Sequence, residues 1–511
     1  MPTFDYFFEA LTPLRLLLAL AGVIGGTIVG SLPGLTATMA IAILVPLTFS
    51  MEPISALILM GAIYTGAIYG GAFAAILLNT PGTPSAIATT FDGYPMAKRG
   101  DGDLAITLAC LASVFGGLVG ACFLLALAPP LADVALAVGP VEYFWLAVLG
   151  LTLIATISRG NLLKGLIGGT LGLLLSCIGV AEISADIRFT FGTQTLLGGI
   201  ELISALIGFY CLPVLLDLMV TPERHLRVAN RSQGLRLREA WLISWRSRWN
   251  LVRSSIIGTL VGILPGAGGS IGGLIAYAQA KRASPNRHRF GTGEPEGIQA
   301  TESANNATVG GGLIPTLVLG IPGTPPDAVI LGAMLVQGVQ VGPNLFQDEA
   351  PIVYTFVFGL LLATIIMLPV GLFIGRYAYK LIVAVPKVLL VPSVAFTTLI
   401  GTFAIRNSVA DIAIMVILGT LGWVLNRFGY EPSPIVLGLI LGRIAEQGFV
   451  QGLIIGAATG SVYTMFFLRP LSIGILICIG FTLFYPLIAA MLGFRQWHER
   501  PKVHQPHQRK S

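Results

Sequence analysis

Hydrophobic residues fall along this chain in long blocks, not in alternation. Apolar runs recur at 14–49, 53–79, 103–128, 141–157, 165–180 and 195–220. They resume at 251–280, 307–340, 351–374, 388–405, 409–425, 434–456 and 459–492. A helix of about 20 apolar residues spans a bilayer core of about 30 Å. The pattern therefore predicts an all-α polytopic membrane protein. Short period-two strands of the kind that build a membrane barrel are absent from the pattern. Several runs are too long for one span and carry Gly or Pro, so about 10 to 14 transmembrane or re-entrant segments are expected, some discontinuous.

Polar blocks divide the runs. Residues 221–253 read TPERHLRVANRSQGLRLREAWLISWRSRWNLVR, eight arginines against two glutamates. This stretch reads as a cytoplasmic linker with an amphipathic, interfacial portion around Trp241–Trp249. It predicts a first membrane repeat at 1–220, a basic linker at 221–253, a second repeat with additional helices at 254–494, and a basic cytoplasmic tail at 495–511. A second polar insert runs from Lys281 to about Asn306. The acidic start, MPTFDYFFEALTPLR, lacks the basic n-region of a removable signal, so the first apolar run is expected to stay as a membrane element.

The halves repeat each other. Gly26–Gly34 reads GTIVGSLPG and Gly258–Gly266 reads GTLVGILPG; seven of the nine positions are identical. A PGTP tetrad follows each, at 81–84 and 322–325. Two matched motifs in matched order argue for internal duplication. Flanking charges change sign between the copies. Asp5, Glu9 and Glu52 flank the first GxLPG region, and the basic residues of 221–253 and 281–289 flank the second. Lys98 and Arg99 follow the first PGTP, and Asp348 and Glu349 follow the second. By the positive-inside bias, the sign change predicts two inverted repeats. It also requires each GxLPG region to be re-entrant.

Pro and Gly break helices, and in a membrane a break is tolerated only where it faces protein or a watery cavity. Inverted repeats with matched breaks point to a secondary transporter whose site lies near the bilayer midplane. A half-helix N-terminus presents N–H donors and partial positive charge, which suits a carboxylate. Carbonyl, Thr and Asn oxygens suit a cation. The candidate substrate-binding residues are Thr36, Asn79, Thr80, Gly82 and Thr83 in the first half. In the second they are Gly268, Gly269, Ser270, Asn305, Asn306, Gly323 and Thr324. Thr38 and Ser85 stand beside them. The weaker ion-coupling candidates are Glu302, Asp327 and Glu201. The bland alternative, close helix packing by small residues, suits an isolated GxxxG better than these duplicated breaks.

Other charges inside apolar runs are Asp217, Asp411 and the Arg443/Glu446 pair, whose three-residue spacing lets the two neutralise each other on a helix. No arginine within an apolar run stands beside a PGTP break. The five cysteines lie in apolar stretches without a CxxC pair and read as small buried hydrophobes. The five histidines fall in polar loops or the tail, so a histidine metal site or proton relay within the membrane is not expected.

Composition agrees with a membrane protein and narrows its function. Hydrophobic residues make up 55% and charged residues 11%, against about 25% charged in a typical soluble domain. A net charge of +6 invites a nucleic-acid reading. The basic residues instead lie in loops between apolar runs, as membrane topology requires. Phosphate-loop, HExxH and GxSxG motifs are absent, so neither an ATPase nor these hydrolases are expected. GDGD at 100–103 contains the GxGD of membrane aspartyl proteases, but it sits in a polar loop without a Tyr-Asp partner.

The ordered string GxLPG, NTPGTP, DGYP, GxLPGAGG, EGxxAxESANNA, PGTP, carried by residues 30–100, 262–269 and 290–335, resembles the large membrane subunit of the tripartite tricarboxylate transporter family. The resemblance covers most of the chain. It implies a multi-pass permease of the bacterial inner membrane. Its implied partners are a small four-helix membrane subunit and a periplasmic solute-binding protein that delivers a di- or tricarboxylate such as citrate. It further implies uptake driven by a Na⁺ or H⁺ gradient, no enzyme activity, and no cofactor beyond Na⁺ as a candidate coupling ion. A channel-like or scaffold subunit without its own substrate site is the alternative reading.

Overall fold

The computed structural model describes residues 3–157, 162–220, 234–384 and 387–491. The tail beyond 491, residues 221–233 of the linker, and His225, His498, His504 and His507 lie outside the described residues.

The first half comprises α1 (Thr3–Ala10), α2 (Pro13–Ser31), α3 (Ala37–Thr48), α4 (Pro53–Leu78), α5 (Thr90–Lys98), α6 (Gly102–Ala135), α7 (Pro140–Ile157), α8 (Leu162–Ser176) and α9 (Leu202–Val220). Then come α10 (Leu237–Arg246), α11 (Arg248–Ile263), α12 (Gly268–Ala283), α13 (Pro295–Leu319), α14 (Pro325–Val336) and α15 (Leu345–Asp348). The chain continues through α16 (Ala350–Ala384), α17 (Lys387–Arg406), α18 (Val409–Arg427), α19 (Pro432–Ala458), α20 (Val462–Phe467) and α21 (Pro470–Met491). Among the described residues the only sheet is a two-strand hairpin, β1 (Gly179–Val180) and β2 (Ile187–Arg188). Among the described residues, seven helices are long and apolar enough to cross a membrane, and six shorter apolar helices accompany them. The protein is an all-α polytopic membrane protein.

Each GxLPG motif ends one helix and turns the chain into a shorter one, α2 into α3 and α11 into α12. Each PGTP motif follows a long buried helix. α4 ends at Asn79 with φ 54°, and α13 ends at Gly320 with φ 68°. Both positions terminate a helix in the left-handed conformation, which Gly and Asn adopt most readily.

Lipid tails are as apolar as leucine, so close backbone packing holds membrane helices together more than burial does. The two halves pack alike. A Cβ on Gly26 or Gly30 of α2 would collide with the carbonyls of Ile63 or Ala67 of α4. A Cβ on Gly258 or Gly262 of α11 would meet those of Ala304 or Thr308 of α13 in the same way. The PGTP glycines are wedged identically. A Cβ at Gly82 would collide with Gly30 O and stand 2.9 Å from Gly71 Cα; one at Gly323 would stand 2.6 Å from Gly262 O and 2.7 Å from Gly312 Cα.

The helix after each break crosses to the other half. α6 packs on α13, with Gly116 and Gly120 against the carbonyls of Ser303 and Ala307. α16 packs on α4, with Phe356 against Gly61 and Ile58 against Gly359. The halves are interlocked rather than side by side.

Within 221–253 the structure forms α10 and the start of α11. Ala240 and Ser244 face the protein, whereas Trp241, Trp245 and Trp249 are exposed. Arg236 binds Asp101 of the GDGD loop at 2.5 Å.

Candidate functional site

A cavity of about 450 Å³ lies where the two breaks approach each other. Thr36 and Thr38 open α3 on one wall, and Gly268, Gly269 and Ser270 open α12 on another. Pro84 and Ser85 come from the first break, and Thr324 and Pro325 from the second. Tyr64, Phe209, Tyr210, Asn426, Glu431 and Ser433 are among the other residues that line it. The four chain breaks anticipated from sequence thus surround one space.

The N-termini that line it differ in their donors. Thr36 caps α3 by accepting from Met39 N at 3.2 Å. α12 begins at Gly268 (φ 54°), and Ala267 before it supplies no side-chain cap. Its first turn keeps unsatisfied N–H groups, the part of a helix that attracts anions. α14 is less open than expected. Pro325 and Pro326 remove two N–H donors, and Thr324 accepts from Asp327 N at 3.5 Å. The first break forms only a three-residue 3₁₀ turn, Pro84–Ala86, rather than a half-helix.

Behind Thr324 lies a chain of hydrogen bonds. Tyr64 Oη and Thr324 Oγ1 are 2.8 Å apart, and Thr324 donates to Asp327 Oδ2 at 2.5 Å. Asp327 is fully buried and its Oδ1 has no partner. Glu302 is fully buried too, accepting from Thr89 and, at 3.1 Å, from Ser113. Its hydrogen-bond donors are hydroxyls. Thr65 donates to Asn306 Oδ1 at 3.5 Å. Asn305 is fully buried with neither amide atom paired, and its Oδ1 lies against Gly269, which also abuts Ser85. A buried amide without partners is costly; Asn305 and Asn306 are both fully buried and neither is among the residues that line the cavity.

Of the sequence candidates, Thr36, Gly268, Gly269, Ser270 and Thr324 line the cavity. Thr83 is buried beside it, its Oγ1 3.0 Å from Ser85 Oγ. Gly82 and Gly323 sit in the helix crossings, where they allow close approach. Asn79 and Thr80 are exposed at the end of α4 and do not line the cavity.

Three sequence readings change. Glu201, an ion-coupling candidate in the sequence, accepts from the N–H groups of Ile203 and Ser204 and caps α9. Its negative charge complements the helix N-terminus. Glu446 pairs with Arg188 of β2 at 2.8 Å rather than with Arg443. Cys122 and Cys478 are exposed, whereas Cys110 and Cys211 are buried as expected. Asp411 binds Arg406 at 2.6 Å, and Asp217 accepts from Trp423 Nε1 at 2.8 Å.

Two residues went unnoticed in the sequence. Tyr64 stands 241 positions before Asn305, the same interval that separates the two tetrads, so repeat alignment could have found it. Asp92, in DGYP, accepts from the N–H groups of Gly291, Gly293 and Glu294 at 2.7–2.8 Å and from Tyr277 Oη at 2.9 Å. It ties the segment after the first break to the start of α13. Nothing in its local sequence announced this, because every partner lies in the other half.

A family model described as the Tripartite tricarboxylate transporter TctA family matches residues 16–437. The chain belongs to this family. An uncharacterized 52.8 kDa protein in the TAR-I ttuC' 3' region of Agrobacterium vitis is 36% identical over 465 residues, covering 89% of this chain and 90% of that one. An uncharacterized protein in the TAR-II ttuC' 3' region of the same organism is 35% identical over 210 residues, covering 40% of this chain and 85% of that one. No solved structure matches the chain. The TctA family is a transporter family, not an enzyme family, and membership assigns this multi-pass protein to the large membrane subunit of tripartite tricarboxylate transporters.

Proposed function

We propose that this protein is the permease of a binding-protein-dependent secondary transporter in the bacterial inner membrane. It takes up a di- or tricarboxylate such as citrate, driven by a Na⁺ or H⁺ gradient. Its partners are a small four-helix membrane subunit and a periplasmic solute-binding protein. The observation that carries the reading is one cavity lined by the helix starts that follow both GxLPG motifs and by residues of both PGTP breaks. The uncapped first turn of α12, with Ser270, supplies donors for a carboxylate, and Asn305 stands behind it against Gly269. The unpaired Asp327 Oδ1 beside Thr324, and Glu302 among hydroxyls, are the coupling groups for Na⁺ or a proton. Na⁺, if it is the coupling ion, binds at this second break.

Contacts at the helix ends support inversion of the halves. Thr48, just before α4, accepts from Gln337, just after α14, and Leu317 near the end of α13 accepts from Gly342 N. Asp92, beyond the other end of α4, holds the start of α13. α4 and α13 therefore run in opposite directions. Arg99, Arg236 and Arg289 cluster at the end that faces the cytoplasm under the positive-inside rule. We take 1–220 and 254–494 as the repeats and 221–253 as their cytoplasmic linker.

The test is uptake of radiolabelled citrate by vesicles containing this protein, the small subunit and the binding protein. Imposed Na⁺ and pH gradients are compared for the wild type, Ser270→Ala and Asp327→Asn. Uptake driven by one gradient and lost in both variants at normal protein levels supports the reading. Wild-type uptake undiminished in both would move the site elsewhere.

A further inference from the structure

A second cavity lies on the far side of the second break. It measures about 560 Å³ and includes Gly320, Leu331, Leu439, Arg443 and Gln447 in its lining. Between the two cavities is a void of only about 10 Å³, lined by Ile154, Tyr210, Pro322, Thr324, Val436 and Leu437 among others. The three spaces follow one another along α19. Ser433 lies on the first cavity, Val436 and Leu437 on the narrow part, and Ile440, Arg443 and Gln447 on the second. Ser433 to Arg443 is ten residues, about 15 Å of helix rise. α9 makes the same passage in reverse, with Leu202 at the second cavity and Tyr210 and Val214 at the first.

The chemistry of the walls changes along the way. The first cavity has Thr36, Ser270, Asn426, Glu431 and Ser433; the second has Glu182, Gln340, Arg443 and Gln447. The narrow part is apolar except for Tyr210, Thr324 and Ser433. Polar walls hold water within a membrane protein, and an apolar constriction excludes it. The cavities adjoin opposite ends of the fold. Glu431 and Ser433 lie beside the turn after α18, where Lys164 donates to Phe428 O. Glu182 lies in the β1–β2 hairpin, where Arg188 binds Glu446.

We propose that solute crosses this protein past the second break, between two water-filled cavities that open to opposite faces of the membrane. Ile154, Pro322, Val436 and Leu437 form the barrier. The exposed end of the first break at Asn79 and Thr80 is off this route. The first, inner cavity offers the helix N-terminus of α12 with Glu431 also in its lining, and the second, outer one is lined by both Arg443 and Glu182, so each holds a site for an anion beside a carboxylate. The barrier sits at the Thr324–Asp327 pair, which joins the route to the coupling group. The proposal rests on the transport reading above, yet its test needs no substrate, so failed uptake and failed water access are distinct results.

The test uses the full-length protein with its five cysteines replaced, carrying Ser433→Cys, Leu437→Cys, Ile440→Cys or Gln447→Cys. Right-side-out and inside-out vesicles are treated with a membrane-impermeant thiol reagent. Labelling after denaturation controls for protein amount. Ser433→Cys should label from one face only, Ile440→Cys and Gln447→Cys from the other face only, and Leu437→Cys more slowly than either. Gln447→Cys keeps the outer cavity testable if Ile440→Cys fails to fold. Labelling of inner and outer positions from the same face overturns the proposal. So does an outer cavity whose cysteines label from neither face, or Leu437→Cys labelling as fast as Ser433→Cys.

Discussion

The two breaks share a backbone and differ in what completes them. Thr83 and Thr324 occupy matched positions, and so do Gly71 and Gly312, the glycines against which the breaks pack. At the second break the group seated against Gly312 is the Asp327 carboxylate, and Tyr64 reaches over from α4 to Thr324. At the first break the group against Gly71 is the Thr83 hydroxyl, Ala86 stands where the aspartate would be, and Asn305 stands in the place of Tyr64. One break is closed by a Tyr–Thr–Asp chain that leaves a carboxylate oxygen unpaired. The other leaves a whole amide unpaired. The difference teaches that matched helix crossings can carry side chains of different charge. An unpaired carboxylate oxygen suits a cation, and an amide beside an uncapped helix start suits an anion.

The shared backbone predicts one large, equal effect. Gly82→Val and Gly323→Val each force a side chain into a carbonyl, and both should abolish the folded monodisperse protein seen by size-exclusion chromatography in detergent. Overpacking of this kind costs about 1–3 kcal/mol or more. Survival of either variant with normal thermal stability would break the claimed equivalence.

The next effect is unequal. Asp327→Ala leaves the buried Thr324 hydroxyl without its acceptor, an expected loss of about 1–3 kcal/mol in unfolding free energy. Asn305→Leu replaces an unpaired amide with an apolar group of similar size. It should leave the melting temperature unchanged or raised, because no hydrogen bond is lost, while uptake falls. A melting temperature lowered as far as in Asp327→Ala would mean that Asn305 holds the fold together.

Tyr64→Phe should be milder, costing about 0.5–1.5 kcal/mol for one buried hydrogen bond. Thermal unfolding in detergent measures it against wild type. Smallest of all, Asn79→Gly relieves a left-handed residue at a helix end and should change stability by only a few tenths of a kcal/mol. Since Asn79 is exposed and off the cavity, vesicle uptake should be unchanged. A large loss of uptake would return Asn79 to the site.

Sequence reading went furthest where the signal was local. Apolar run length marked the membrane helices, and Pro and Gly marked the breaks, because both act through the backbone of a few neighbouring residues. Repeat alignment brought both breaks into view, though Tyr64 escaped because only its counterpart, Asn305, looked polar and placed. Pairings across the halves were out of reach. The Asp92 cap, the Arg188–Glu446 bridge and the Tyr64–Thr324 bond join residues more than 180 positions apart, and no periodicity encodes such partners. Glu201 was misjudged for a different reason. Its partners are backbone N–H groups, which are invisible in a list of side chains.

The interlocking of the halves sets a clock on biosynthesis. Gly116 of α6 rests on Ser303 of α13, and 303 − 116 gives 187 residues between them. At roughly 5–20 residues per second, the ribosome needs roughly 10–40 s to bridge that interval. Throughout it the Gly116–Gly120 face of α6 lacks the helix it packs on in the folded protein, so nascent α6 must be sheltered by lipid or by the insertion machinery until α13 arrives.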